Sequence, residues 1–540
     1  MRKMHMLGWM LGAVATAAAS ATVDIDRTGG NRPPVDLSAG TIRLEKIGGF
    51  STGLFEEGGA EIAAYSRTAK RLFFVNAQAN AVQALDLSDP AHPAALFTVD
   101  FAAYGGGVNS VATWGDLAAA AVEAEDRQQP GKVVFFDLSG HILAALPAGA
   151  LPDMLTFTPD GSRVVVANEG EPKDYCEAGL ANDPEGSVTI IDVPADRSQL
   201  AQAAVRTADF HGVFPALHPE VRFFGPNATP SQDLEPEYIA VADDSKTAYV
   251  TLQEANAIAV VDLANGTVTA LHPLGTKDHS QRVNQLDASD RDGAVRLATW
   301  PVRGMYQPDA IAFYLHDGRR YLVTANEGDT RDYECYSELE RIKDLDLDPV
   351  HFPNADDLQE DENLGRLRVT TAGADTDDDG DVDQLRSFGG RSFSIWTAQG
   401  QLIHDSGRDF ERILGRHDAA NFNSDNTEND SFDSRSDDKG PEPEALALGT
   451  IDQRVYAFVG LERQGGIFAY DVTDPLAVEL AAYANTRIFS GDAEAGTAGD
   501  LGPEGLLFIP ASQSPNGQDL LVSANEISGT IAIFRVVAID

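Results

Sequence analysis

Cysteine is nearly absent: Cys176 and Cys335 are the two in 540 residues. Two thiols alone make a poor metal site, and no Cys-x-x-Cys-His stretch exists to attach a haem. Basic residues are scarce as well, 40 Lys+Arg against 84 Asp+Glu, for a formal charge of −44. Such a chain repels phosphate backbones, which excludes nucleic acid as a partner. Beyond the N-terminal two dozen residues no stretch is apolar enough to span a bilayer. A Gly-rich phosphate loop, a zinc signature and a Ser-His-Asp order are also missing, and nothing positive indicates a quinone cofactor.

What is present starts with an export signal. Arg2 and Lys3 precede an apolar stretch, Leu7 to Ala19, and Ala19-Ser20-Ala21 offers a small-residue cleavage site. Residues 1–21 therefore read as a signal peptide and 22–40 as a linker, leaving a soluble, monomeric, secreted or periplasmic protein. In that oxidising setting a Cys176–Cys335 disulfide is the expectation, with two free thiols as the alternative. Both cysteines follow related phrases, Asn168 to Tyr175 and Asn326 to Tyr333.

The apolar share, 43%, is enough for a real core. It is arranged as a repeated phrase in which an acidic or amide residue opens an apolar strand. The openings are Glu61, Asn109, Asp153, Glu237, Asp309, Glu444 and Glu504. After a tight turn a second strand ends near Gln78, Glu125, Glu169, Glu254, Glu327, Glu462 or Glu526, and a third strand follows. Repeats of this kind build a β-propeller, here of seven blades and YVTN/WD40-like. The last unit supplies three strands, and Thr41–Gly49 is available as its fourth, so an N-terminal strand is expected to close the ring over residues 41–538.

Strand alternation places both sets of acids on one face, as two rings. Insertions near 211–236, 276–308, 328–390 and 408–443 map to the same face, and loops of that length tend to carry function. Carboxylates gathered at one mouth invite divalent cations, with Asp153, Glu237, Asp309, Glu444 and Glu504 as candidate ligands and oxygen donors favouring calcium or magnesium over zinc. The alternative is a hydrated channel whose acids cap backbone N–H groups between blades.

A sharper motif lies at Asp375, Asp377, Asp379, Asp381 and Asp383. The first three occupy positions 1, 3 and 5 of a calcium loop, Gly380 supplies the turn at 6, and Asp383 stands at 9. The departure is position 12, where Arg386 replaces the bidentate glutamate. A second acidic stretch delivers Asp437, Asp438, Lys439 and Glu442 to the mouth beside Glu444, and Lys277 and His279 lie on another mouth loop. With Lys173, Arg331 and Arg391, these residues are the raw material for phosphoester hydrolysis by metal-activated water, although a lone histidine is more often structural.

Several phrases carry a resemblance. Lys277 to Ser280, Leu286 to Asp290, Gly304 to Ile311, Gly390 to Ile395 and Arg435 to Glu444, with the twice-used Ala-Asn-Glu-Gly, resemble the choice-of-anchor I family, which has relatives described as mesenchyme-specific cell-surface glycoproteins. The resemblance implies a secreted propeller and no firm activity. The family's variable C-terminal sorting tail is not seen here, which favours release or periplasmic residence. The expectation is thus a calcium-binding propeller that takes an extracellular ligand or protein partner at its acidic mouth. The rival is a calcium-dependent phosphoesterase of phytase or alkaline phosphatase type with catalytic candidates Asp437, Asp438, Lys439, Glu444, His279 and Arg391.

Overall fold

The computed structural model describes residues 25–27, 40–176, 179, 182–213 and 218–539. The signal-peptide segment therefore lies outside the described residues. Within the expected linker, Ile25–Arg27 pairs antiparallel with Arg296–Ala298. Among the described residues no helix is long and apolar enough to cross a membrane.

Among the described residues seven sheets are four-stranded and antiparallel, each with its strands in chain order except that the last takes its fourth from the N-terminal side. The first strands of the sheets are Ala63–Ser66, Gly107–Trp114, Pro152–Phe157, Pro236–Val241, Ile311–His316, Pro443–Ile451 and Pro503–Ile509. In the last sheet the fourth strand is Ile42–Ser51, which pairs with Thr530–Ala538 from Ile42↔Ala538 to Ser51↔Thr530. The first strands touch one another in chain order, and that of the last sheet touches that of the first.

The second strands are apolar without alternation because both of their faces are covered. Val164, Val165 and Val166 are all fully buried, as are Ala118 to Val122. One face of such a strand looks to the preceding sheet and the other to the next. The cores follow that logic. One cluster joins Phe73 and Val75 to Val122 and Phe136 across sheets one and two. The next joins Phe135 to Val164, and another joins Val165 to Val250. Further clusters join sheets four to five, five to six, six to seven and seven to one. Each interface is tight enough to dictate residue size. A Cβ on Gly161, in the Pro159-Asp160-Gly161 turn, would sit 2.2 Å from the Trp114 ring of the neighbouring sheet, and its φ of +67° also suits glycine.

The long insertions are not independent loops. Thr276–Asp278, Arg303–Met305, Arg386–Ser387, Arg368–Thr370 and Leu339–Arg341 form a five-stranded sheet of their own. It covers a separate core of Leu286, Trp300, Leu347, Phe352, Leu364 and Leu385. Strands of two or three residues leave no period-2 pattern in a sequence. Cys176 and Cys335 are joined, with Cα atoms 5.2 Å apart, so the insertions of sheets three and five are tied together. Tyr175 stacks edge-on against Tyr333 and Tyr336 beside that bond.

Candidate functional site

The acidic openings of the first strands are placed by a recurring backbone device. The pairing register slips at Asn109, between Pro152 and Leu155, between Pro236 and Ile239, between Pro443 and Leu446, and between Pro503 and Gly505. Asp153, Glu237, Glu444 and Glu504 all fall inside these irregularities. A bulge frees one residue from the ladder and re-aims its side chain. The same local distortion thus turns an acid out of the sheet in several units.

Gathered this way, the acids resist ionisation. Burial, with Glu526 and Asp153 as like-charged neighbours, pushes Glu61 up to about 8. Burial likewise pushes Asp153 up to about 7, with Glu171 and Glu123 adding repulsion. Glu237, Asp309, Glu444 and Glu504 are held well above the usual carboxylate range by burial first and by neighbouring carboxylates, mostly of the second ring, next. In the second ring Glu169, Glu254, Glu462 and Glu526 shift the same way, led by burial. Glu254 Oε2, Glu235 Oε1 and Glu444 Oε2 are buried oxygens with no hydrogen-bond partner among the described residues. Desolvated, mutually repelling carboxylates at neutral pH take up protons or cations.

The cations expected to meet a substrate are committed elsewhere. Lys277 is buried and bonds Gly390 O at 2.8 Å, Gly407 O at 2.6 Å and Asp405 at 3.0 Å. Arg391 is buried and spends its terminal nitrogens on Glu411 at 2.8 Å and on the carbonyls of Asp287, Ser436 and Asp438. Arg331, 1% exposed, pairs with Asp233 at 2.7 Å and Glu235 at 2.9 Å. His279 shares a hydrogen bond between its Nδ1 and Asn284 O at 2.6 Å, and its Nε2 abuts Gly304. Burial, reinforced by Lys277, drops its pKa to about 3, so it is neutral.

Asp437 is held by Arg341 at 2.7 Å and Arg366 at 3.1 Å, and Asp438 by Arg435 at 2.9 Å and Arg368 at 3.2 Å. Lys439 bonds Glu327 at 2.7 Å, Gly328 O at 2.6 Å and Glu442 at 3.0 Å. Oxygens of Glu327, Glu442 and Glu462 come within metal-binding distance of one another. Arg435 reaches Glu442 at 2.6 Å, and Arg463 reaches Glu442 and Glu462 at 3.1 Å each. Three cations thus interleave three acids, and a divalent ion there would displace paired charge. Lys277, Arg391, Lys439, Asp437 and Asp438 are engaged in ion pairs and hydrogen bonds that tie the insertions to one another and to the sheets.

Asp375 accepts from the N–H groups of Asp377, Asp378 and Gly380 at 3.3, 2.7 and 3.0 Å. Asp383 accepts from Thr376 N at 2.6 Å and Thr376 Oγ1 at 2.7 Å. Ligand oxygens of Asp375, Asp377 and Asp383 lie within 4.8 Å of one another. Asp379 and Asp381 are outside that group; Asp379 accepts from Asp381 N at 3.3 Å. Crowding shows in Asp381, pushed up to about 6 by desolvation and by Asp379. Sequence reasoning missed Asp348 and His351, which form a second group with Asp383. Backbone bonds from Asp348 N to Val382 O and from Val382 N to Asp346 O bring them there. The Asp-x-x-His spacing at 348–351 was the signal available.

Comparisons with known proteins agree on the kind of chain this is. The choice-of-anchor I domain matches residues 61–475. Gigasin-3a of Magallana gigas is 36% identical over 194 residues, 34% of this chain and 68% of that protein. The mesenchyme-specific cell surface glycoprotein of Strongylocentrotus purpuratus is 29% identical over 296 residues, 48% of this chain and 38% of the relative. Among solved structures, the Kuenenia stuttgartiensis hydrazine synthase aligns over 88% of this chain and 96% of its own, at 12% identity and a TM-score of 0.45.

Proposed function

The chain belongs to the choice-of-anchor I family, and on that premise we propose an extracellular, closed seven-bladed propeller that binds calcium or a similar divalent cation and engages a ligand or protein partner at its acidic mouth. The cell-surface name of one relative supports the location. Seven interface cores, running in sequence from sheet one back to sheet one, support the closed ring.

The observation that carries the cation reading is the set of buried acids Glu61, Asp153, Glu237, Asp309, Glu444 and Glu504 at the openings of the first strands, four of them at breaks in strand pairing. A cation there offsets repulsion that otherwise demands protonation. The Asp375–Asp383 loop offers a second oxygen-rich place, of the hard-donor type that suits calcium. Equilibrium dialysis of chelator-treated protein against calcium tests this. Saturable uptake of one or more ions is expected, and no uptake overturns the proposal.

Phosphoester hydrolysis is less well supported. It calls for cations free to meet a substrate, and Lys277, Arg331, Arg391 and Lys439 are all in buried pairs. Aryl phosphate and phytate, offered with calcium and with chelator, are expected to show no turnover. Metal-dependent turnover lost in Asp438→Ala would revive hydrolysis.

A further inference from the structure

A cleft of about 990 Å³ lies between the Pro219–Phe224 segment and the five-stranded cap, near the upper end of ordinary small-ligand pockets. Arg386 lines it. This is the residue that stands where a calcium loop carries its bidentate glutamate. Its strand, Arg386–Ser387, pairs parallel with Arg303–Met305 and so leaves the aspartate loop behind. Among the described residues its one side-chain hydrogen bond runs to neutral Gln384 Oε1, at 2.8 Å. Among the described residues it forms no ion pair with a carboxylate, in a chain with 84 acids.

The other cationic groups on the cleft wall differ. Arg222 lies 2.5 Å from Glu338, donates to Glu254 O at 2.9 Å and sits over the Phe224 ring. Arg303 leans on Asp278 at 3.4 Å. Burial, and then the charge of Arg222, lower the pKa of Arg386, so its charge is poorly satisfied as it stands. An anionic group arriving from solvent would supply the missing partner. Arginine suits this because its planar fork matches an oxyanion in two hydrogen bonds.

We propose that this cleft binds an acidic saccharide carrying an isolated carboxylate, with Arg386 holding the carboxylate. The formal charge of −44 disfavours densely charged polymers, so a single oxyanion on a hydroxyl-rich body is the better match. Asp278 and Gln384 on the wall offer partners for hydroxyls, and Phe223 offers apolar surface. The site rests on Arg386; Asp383 and His351, candidate cation ligands, line the same cleft, so the test separates the two by chelation.

The test titrates the full chain, by calorimetry at low salt, with cellobiouronate, which has one carboxylate, with neutral cellobiose and with a short aspartate-containing peptide, each with calcium and with chelator. Cellobiouronate is expected to bind about tenfold or more tighter than cellobiose, and to keep that margin in chelator. Arg386→Gln is expected to erase the margin, and Arg386→Lys to restore part of it. Equal affinity for both sugars, no binding of either, preference for the peptide, or an unchanged margin in Arg386→Gln overturns the proposal. A margin that vanishes in chelator overturns it too and leaves the cation reading standing. A surviving margin in a protein that takes up no calcium defeats only the cation reading.

Discussion

Lys439 Nζ lies 2.7 Å from Glu327 Oε1, joining the 408–443 insertion to the end of a blade-five strand inside a buried charge network. Breaking such a pair strands its partner: Lys439→Met leaves Glu327 without its cation, while Glu442 keeps Arg435 and Arg463. We expect it to cost about 3–5 kcal/mol. Adding Glu327→Gln to that variant should recover part of the loss. Chemical denaturation of the single and double variants checks this, and a loss below about 1 kcal/mol in Lys439→Met would contradict the role of the pair.

Asp383 is the shared member of two candidate ligand groups, one with Asp375 and Asp377 and one with Asp348 and His351. Asp383→Asn should therefore weaken both. At a hundredfold excess over its Kd, a single calcium ion stabilises the fold by about 2.7 kcal/mol. The wild-type melting temperature should fall by a few degrees on chelation, and the variant should lose most of that difference. An equal chelator response in both proteins removes the loop from the account.

The mouth acids set the response to pH. Glu61 and Asp153, with pKa values raised to about 8 and about 7, bind protons that the unfolded chain has already released. Stability of the cation-free protein should therefore decline as pH rises from roughly 4.5 to 8 and level off above. Glu442 works in the opposite sense. Lys439, Arg463 and Arg435 outweigh its burial and hold its pKa below the usual range. Its contribution is full above the ordinary glutamate value and is lost as pH falls through the acid range. Melting curves in chelator should show a fall toward alkaline pH that added calcium reduces; a flat curve between pH 5 and 8 contradicts this.

Cys176 and Cys335 close a loop of 159 residues. Chain entropy assigns such a closure about 5 kcal/mol. Cys176→Ser should lower the melting temperature clearly, and reductant should reproduce that drop in the wild type but not in the variant.

The architecture was legible because both faces of each blade are covered. Val164 to Val166 and Ala118 to Val122 read as buried strands whatever surrounds them, and the acidic or amide residue that opens each first strand marks the repeat. The insertions were not legible. Thr276–Asp278 and Arg386–Ser387 are too short to show a period, and Arg386–Ser387 pairs with Arg303–Met305, about eighty residues earlier. Lys277, Arg331 and Arg391 looked like free cations because a sequence lists charges without their partners. Three-dimensional pairing with Asp405, Asp233 and Glu411 turned them into structural ties. His351 went unnoticed for the same reason, since it meets Asp383 only through the Leu347–Val382 bridge. Arg386 read as a defect in a calcium motif, and its departure from that loop became visible only with the cap sheet.

The central claim is that the mouth carboxylates hold protons that a divalent cation displaces. Calorimetric calcium titrations at pH 7, in two buffers of different ionisation enthalpy, count those protons directly. The account predicts net proton release on binding, reduced when Glu237 and Glu444 are both replaced by glutamine. Calcium binding with no proton release, or release unchanged in the Glu237→Gln, Glu444→Gln protein, would contradict it.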